Sequence, residues 1–146
     1  MLPSYRLPLF LLFAVPICIF DIREFRVPDL LSLGGIAAFL SLALLLPGGA
    51  PLAAAVECAV GFAVFWLINR FTKGRMGLGD AKLSALIAVA AGLRSWFLAL
   101  FLASVTGILF FVALLGMRRA DRGTRIPFAP FLSLGAAVAM AVGIPA

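Results

Sequence analysis

The stretch WFLALFLASVTGILFFVALLGM, residues 96–117, runs for 22 residues without a charge. A helix needs about 20 predominantly apolar residues to cross the hydrocarbon core of a bilayer. Similar uncharged runs fall at 7–20, 30–51, 58–69, 83–93 and 126–146. The first reaches spanning length by including residues 1–6. The third reaches it by starting near Leu52 and accepting Glu57 close to one end, where a charge can stay in the headgroup layer. The run at 83–93 has only 11 residues, so it reads either as a short crossing helix starting near Asp80 or as a re-entrant loop.

Composition points the same way. Of 146 residues, 64% are hydrophobic and 12% charged, against roughly 45–50% and about 25% in an ordinary soluble domain. A soluble chain of this size could not hide so much apolar surface. Residues 1–146 carry no repeat, low-complexity segment or linker, which predicts one membrane domain. Pro3, Pro8 and Pro16 interrupt the first run and no Ala-x-Ala site follows it, so it does not read as a cleaved signal peptide.

The charges between the runs give an orientation. Arg23 and Arg26, then Arg70, Lys73, Arg75 and Lys82, then Arg118, Arg119, Arg122 and Arg125 fall on one side, leaving Arg6 and Arg94 for the other. By the positive-inside rule the richer side is cytoplasmic. A re-entrant 83–93 would put the last four arginines outside, so the crossing helix is favoured. The expectation is therefore an all-α polytopic membrane protein with six transmembrane helices and both termini on the non-cytoplasmic side. The net charge of +6 then reports topology, with membrane lipids as neighbours and no nucleic acid as partner.

Histidine and glutamine are absent, which removes serine–histidine and cysteine–histidine chemistry and imidazole metal sites. Cys18 and Cys58 lie in apolar runs and read as small core residues. Six acidic side chains remain. Asp121 sits among arginines in a loop, Glu57 is expected to reach the outer headgroups, and Glu24 lies in a charged loop. Asp29, between Pro28 and an apolar run, stands where a helix N-cap is expected.

Asp21 ends the first run, where its own helix dipole disfavours a carboxylate. It reads either as a partner of Arg23 or Arg26 or as a functional group. Asp80 follows Gly77-Leu78-Gly79, which reads as a glycine turn with an aspartate cap or as a close backbone approach to the site. Asp80, Ser84, Ala88 and Gly92 recur every four residues, a small-residue face suited to helix packing, as do Gly135, Ala139 and Gly143. Two aspartates at one depth can share a proton and activate water without a metal or cofactor. A Ser84–Lys82 nucleophile is disfavoured because i and i+2 diverge on a helix.

At these aspartates the sequence resembles the type IV prepilin peptidases, membrane aspartyl proteases of the GxGD kind. The matching blocks are 21–29, DIREFRVPD; 77–83, GLGDAKL; and 126–131, IPFAPF. The resemblance implies removal of a short basic leader from prepilin-like precursors at the cytoplasmic face of the inner membrane. Asp21 and Asp80 would be the catalytic pair, with Gly77, Gly79, Lys82 and Pro28 as motif support and no metal or cofactor. It also implies contact with pilus or secretion assembly machinery. Nothing in the chain corresponds to the cysteine-bearing methyltransferase region of larger members, and the compact form is similar to tight-adherence (Flp-type) pilus peptidases, the favoured type, and to archaeal preflagellin peptidases. Glu24 and Asp29 flank the first block and are candidates to hold a basic leader. The presenilin-like proteases also carry GxGD but have more helices and a Tyr-Asp motif, whereas Phe20 precedes Asp21 here. A small transporter or secretion-assembly subunit with ion-binding aspartates is the alternative outside the enzymes, although a transport site is expected nearer the midplane.

Overall fold

The computed structural model describes residues 5–73, 77–117 and 126–142. Arg75, Asp121, Gly143 and the arginines at 118, 119, 122 and 125 lie outside the described residues. Six helices follow in order: α1 (Arg6–Glu24), α2 (Asp29–Leu45), α3 (Pro51–Phe71), α4 (Leu78–Ala91), α5 (Leu93–Gly116) and α6 (Ala129–Val142). No strand occurs among the described residues.

Local chemistry sets the boundaries. Pro28 holds the residue before α2 in extended geometry, and Pro51 opens α3, where its missing N–H costs no hydrogen bond. Gly92 alone joins α4 to α5 at φ +80°, a conformation that side-chain-bearing residues rarely adopt.

Helix α4 is the axis of the bundle. It touches all five other helices, and every residue from 83 to 91 is buried. A helix apolar on all sides belongs inside. The small face containing Ser84 and Ala88 is buried as expected, but so are the other faces. Helix α3 comes close because Gly61 has no side chain: a Cβ there would lie 2.7 Å from Ala88 Cβ and 2.9 Å from the Ser84 carbonyl oxygen. The Ser84 hydroxyl donates to the Gly61 carbonyl at 2.8 Å and accepts the Trp96 indole N–H at 2.9 Å. Ser84 is thus a strut between α3, α4 and α5.

The outer surface is the reverse of a soluble protein's. Helices α3 and α5 are long and apolar enough to cross a membrane, yet only 17% and 11% of their most apolar windows are buried. Phe97, Phe101 and Leu109 all project outward.

Helix α4 passes from one end of the bundle to the other instead of turning back. Its first turn lies beside the C-terminal end of α1, and near its last turn the Ala90 carbonyl accepts Arg6 Nη1 at 3.3 Å from the N-terminal end of α1. The half-buried Glu57 carboxylate faces Arg6 and accepts the Leu93 backbone N–H. Glu57 thus has a donor from the start of α5 and a cation from the start of α1.

Replacing Gly61 by valine should destabilise the bundle by about 1–3 kcal/mol, the usual cost of overpacking. Unfolding of the purified protein in mixed micelles checks this; unchanged stability would show that α3 and α4 are not in backbone contact.

Candidate active site

The C-terminal end of α1 and the starts of α2, α4 and α6 enclose an open cavity of about 1220 Å³. Asp21, Glu24, Pro28 and Asp29 line it from the first sequence block, and Gly77, Gly79, Asp80 and Lys82 from the second. Ile126, Pro127 and Phe128 of the third block complete the wall. Segments more than 100 residues apart in sequence therefore meet at one place.

Asp21 is only 6% exposed. It forms no ion pair with Arg23 or Arg26, both of which are exposed. Its Oδ2 accepts the Ala129 backbone N–H at 3.0 Å. Ala129 opens α6, and the free N–H groups and positive dipole of a helix N-terminus favour an anion. The end of α1 disfavours a carboxylate, and the start of α6 supplies the compensation. Sequence reasoning missed this partner, although the proline-bracketed start at 126–130 is a recognisable helix-opening signal.

Asp80 occupies the first turn of α4 but does not cap it. Gly77 stands at the cap position without a side-chain bond, and the Asp80 backbone N–H returns to the Gly77 carbonyl at 3.2 Å. The carboxylate is left facing the cavity. Both aspartates lie beyond the uncharged runs, at helix ends bordering this open space. Burial pushes the Asp80 carboxyl up to about 6, and the negative charge of Asp21 adds to the rise. Burial also raises Asp21, while the Ala129 N–H opposes the rise. A carboxyl group whose proton affinity is raised by a neighbouring carboxylate titrates together with it. Such a pair can hold one proton between them, leaving one group to take a proton from water and the other to give one.

Asp29 corrects another expectation. It is the first residue of α2 and makes no capping hydrogen bond; Pro28 holds the cap position. Its carboxylate instead accepts Lys82 Nζ at 2.5 Å, bridging α2 and α4. This is the only ion pair among the described residues.

A family model described as the type IV leader peptidase family matches residues 8–112, a span containing both aspartates. This chain belongs to that family. Over 83 residues it is 37% identical to a prepilin leader peptidase/N-methyltransferase of Pseudomonas aeruginosa, which covers 56% of this chain and 29% of that protein. A protein of the same name from Pseudomonas putida is 40% identical over the same length. One from Aeromonas salmonicida is 30% identical over 139 residues, 88% of this chain and 46% of its own. The chain thus spans less than half the length of these curated relatives. No solved structure matches it. The two aspartates that line the cavity both lie within the matched span.

The raised Asp80 carboxyl has a consequence for stability. Its charged form is disfavoured in the folded protein relative to an ordinary carboxyl near 3.8. The contribution of Asp80 to native stability is therefore full below about pH 4, falls as the pH rises to about 6, and then levels. Asp80→Asn should lack this decline and exceed the wild type above pH 6 by on the order of 1–3 kcal/mol, with no such advantage below pH 4. Unfolding in detergent at pH 4 and pH 8 measures it; parallel pH dependences would show that Asp80 carries no burial cost.

Proposed function

We propose that this chain is an aspartyl endopeptidase that removes the short basic leader of prepilin-like precursors. The observation that carries the proposal is that Asp21 and Asp80, from two separate motif blocks, line one open cavity, and that burial and the charge of Asp21 raise the proton affinity of Asp80. Membership of the leader peptidase family favours this reading over an ion-binding transporter. The proposal concerns leader cleavage alone, performed by residues 1–146 as one peptidase domain without metal or cofactor.

In the proposed reaction Asp21 is the ionised base and Asp80 the protonated acid. The Ala129 N–H stabilises the charged form of Asp21, whereas burial and the neighbouring charge favour the neutral form of Asp80. A water between them gives a proton to Asp21 and attacks the scissile carbonyl carbon. Asp80 gives its proton to the carbonyl oxygen. Collapse of the tetrahedral intermediate returns a proton to Asp80 and transfers the one held by Asp21 to the leaving amine.

We further propose that all six helices cross the inner membrane, with the cavity at the cytoplasmic face and both termini opposite. A 14-residue α4 is about 21 Å long, shorter than the roughly 30 Å hydrocarbon core. The mismatch is tolerable because the other helices, and not lipid, surround it. It also recesses Asp80 below the surface, where an extended chain can enter from water. Arg23, Arg26, Arg70, Lys73 and Lys82 belong to the cavity end of their elements, against Arg6 and Arg94 at the other end, in keeping with a cytoplasmic cavity.

The cavity is not uniformly basic. Asp21, Glu24, Asp29 and Asp80 line it together with Arg26, Lys73 and Lys82. Lys82 already occupies Asp29, so Glu24 becomes the principal contact for a basic leader. Pilus or secretion assembly machinery is the natural supplier of the precursor.

Purified Asp21→Ala and Asp80→Ala variants should insert normally and lose cleavage of a prepilin-like precursor, read by gel shift. Wild-type kcat/KM should fall about tenfold per pH unit above 6 as Asp80 loses its proton. Glu24→Gln should slow a basic-leader precursor and spare one with a neutral leader. Cleavage by either alanine variant ends the aspartyl reading.

Topology is tested separately. A single cysteine replacing Arg23, in a background without Cys18 and Cys58, should resist impermeant thiol reagents in intact cells, and one replacing Gly49 should react. The reverse pattern would place the cavity outside.

A further inference from the structure

The two aspartates are held by segments that touch at Gly79. A Cβ built on that residue would lie 2.8 Å from Val27 Cβ, 3.0 Å from Val27 Cγ2 and 3.5 Å from the Val27 backbone nitrogen. Ordinary contact begins at about 3.4 Å, so any side chain at 79 must move one segment relative to the other. Val27 is poorly able to yield. Pro28 after it restricts its backbone to extended geometry, and β-branching stiffens its side chain. A second tie, the Asp29–Lys82 ion pair, joins the same two segments. Gly79 directly precedes Asp80, and Val27 lies six residues after Asp21. The leader-peptidase reaction gives no role to Val27, to the Gly79 contact or to the Lys82 pair.

We infer that Val27 and Gly79 form a steric gauge that fixes the separation of the two aspartates, with the Asp29–Lys82 ion pair holding it closed. Val27, Gly79, Asp29 and Lys82 are positioning residues: they act through the carboxylates without touching the reacting atoms. The inference rests on the peptidase reading above. It explains why a glycine stands immediately before the Asp80 position and why a lysine follows two residues later. Seating a methyl group on Val27 requires a displacement of about 0.6 Å or more, and a misplacement approaching 1 Å costs about 100-fold in rate.

The test uses the full chain in detergent with a prepilin-like precursor. Gly79→Ala should lower kcat about 100-fold with KM little changed, because the gauge acts on the reacting geometry and not on leader binding. Its alkaline limb should move to lower pH, since a wider gap weakens the charge of Asp21 at Asp80. Val27→Gly, introduced into Gly79→Ala, removes both clashing carbons and should recover at least tenfold. Val27→Ala leaves the Cβ at 2.8 Å and should recover less. Asp29→Lys and Lys82→Asp should each reduce kcat, and the double exchange should restore part of it. Full activity of Gly79→Ala overturns the inference. So does a Gly79→Ala/Val27→Gly protein that accumulates like the wild type and remains as slow as the single variant. Should Gly79→Ala fail to accumulate, the charge exchange decides, and no recovery in the double exchange overturns the inference. Cleavage by Asp80→Ala would instead remove the peptidase reading, and the gauge with it.

Discussion

The central helix of this protein is enclosed by the other five, and the geometry of the candidate site follows from that enclosure. Residues 83–91 of α4 are buried on every side, so their packing answers to the surrounding helices alone. The contacts are close because Gly61 admits Ala88 and the Ser84 carbonyl. Ser84 also ties α3 and Trp96 of α5 to the axis through two short hydrogen bonds. A helix enclosed in this way can begin beneath the bundle's surface. Asp80, in its first turn, is thereby recessed and still faces an open cavity.

The electrostatics then divide between two helix ends. Asp21 sits at the unfavourable end of α1 and is compensated by the N-terminal amide of α6. Asp80 sits at the favourable end of α4, yet burial and Asp21 together raise its proton affinity. Helix dipoles contribute at most about 2 kcal/mol in partly buried geometry, which is comparable to the opposing burial cost. The outcome is two chemically identical groups with different preferences. The Ala129 N–H favours the charged form of Asp21 against its burial, whereas burial and the charge of Asp21 both favour the neutral form of Asp80, the asymmetry on which the proposed acid–base roles rest.

Much of this was legible in the sequence. Uncharged runs separated by basic loops located the six helices, because the same charges that end a run also mark its loop. Asp21 and Asp80 stood out because a carboxylate beside an apolar run needs a reason. The tertiary partners were hidden. Nothing local to Asp21 announces an amide 108 residues away, and the Asp29–Lys82 pair spans 53 positions. Asp29 followed the cap pattern but found a cation instead. Apolar composition also cannot tell a helix facing lipid from one facing other helices, so the enclosure of α4 appeared only in three dimensions. Val27 stood in the first block only as a motif position, since its contact with Gly79 lies in three dimensions.

The central claim is that Asp80 holds a proton because it is buried beside Asp21. Infrared titration of the carboxyl C=O band in the purified protein addresses this directly. The account predicts a band with a midpoint near pH 6, absent from Asp80→Asn and shifted to lower pH in Asp21→Asn. A protein with no carboxyl titrating above the ordinary range, or a midpoint indifferent to Asp21→Asn, would contradict it.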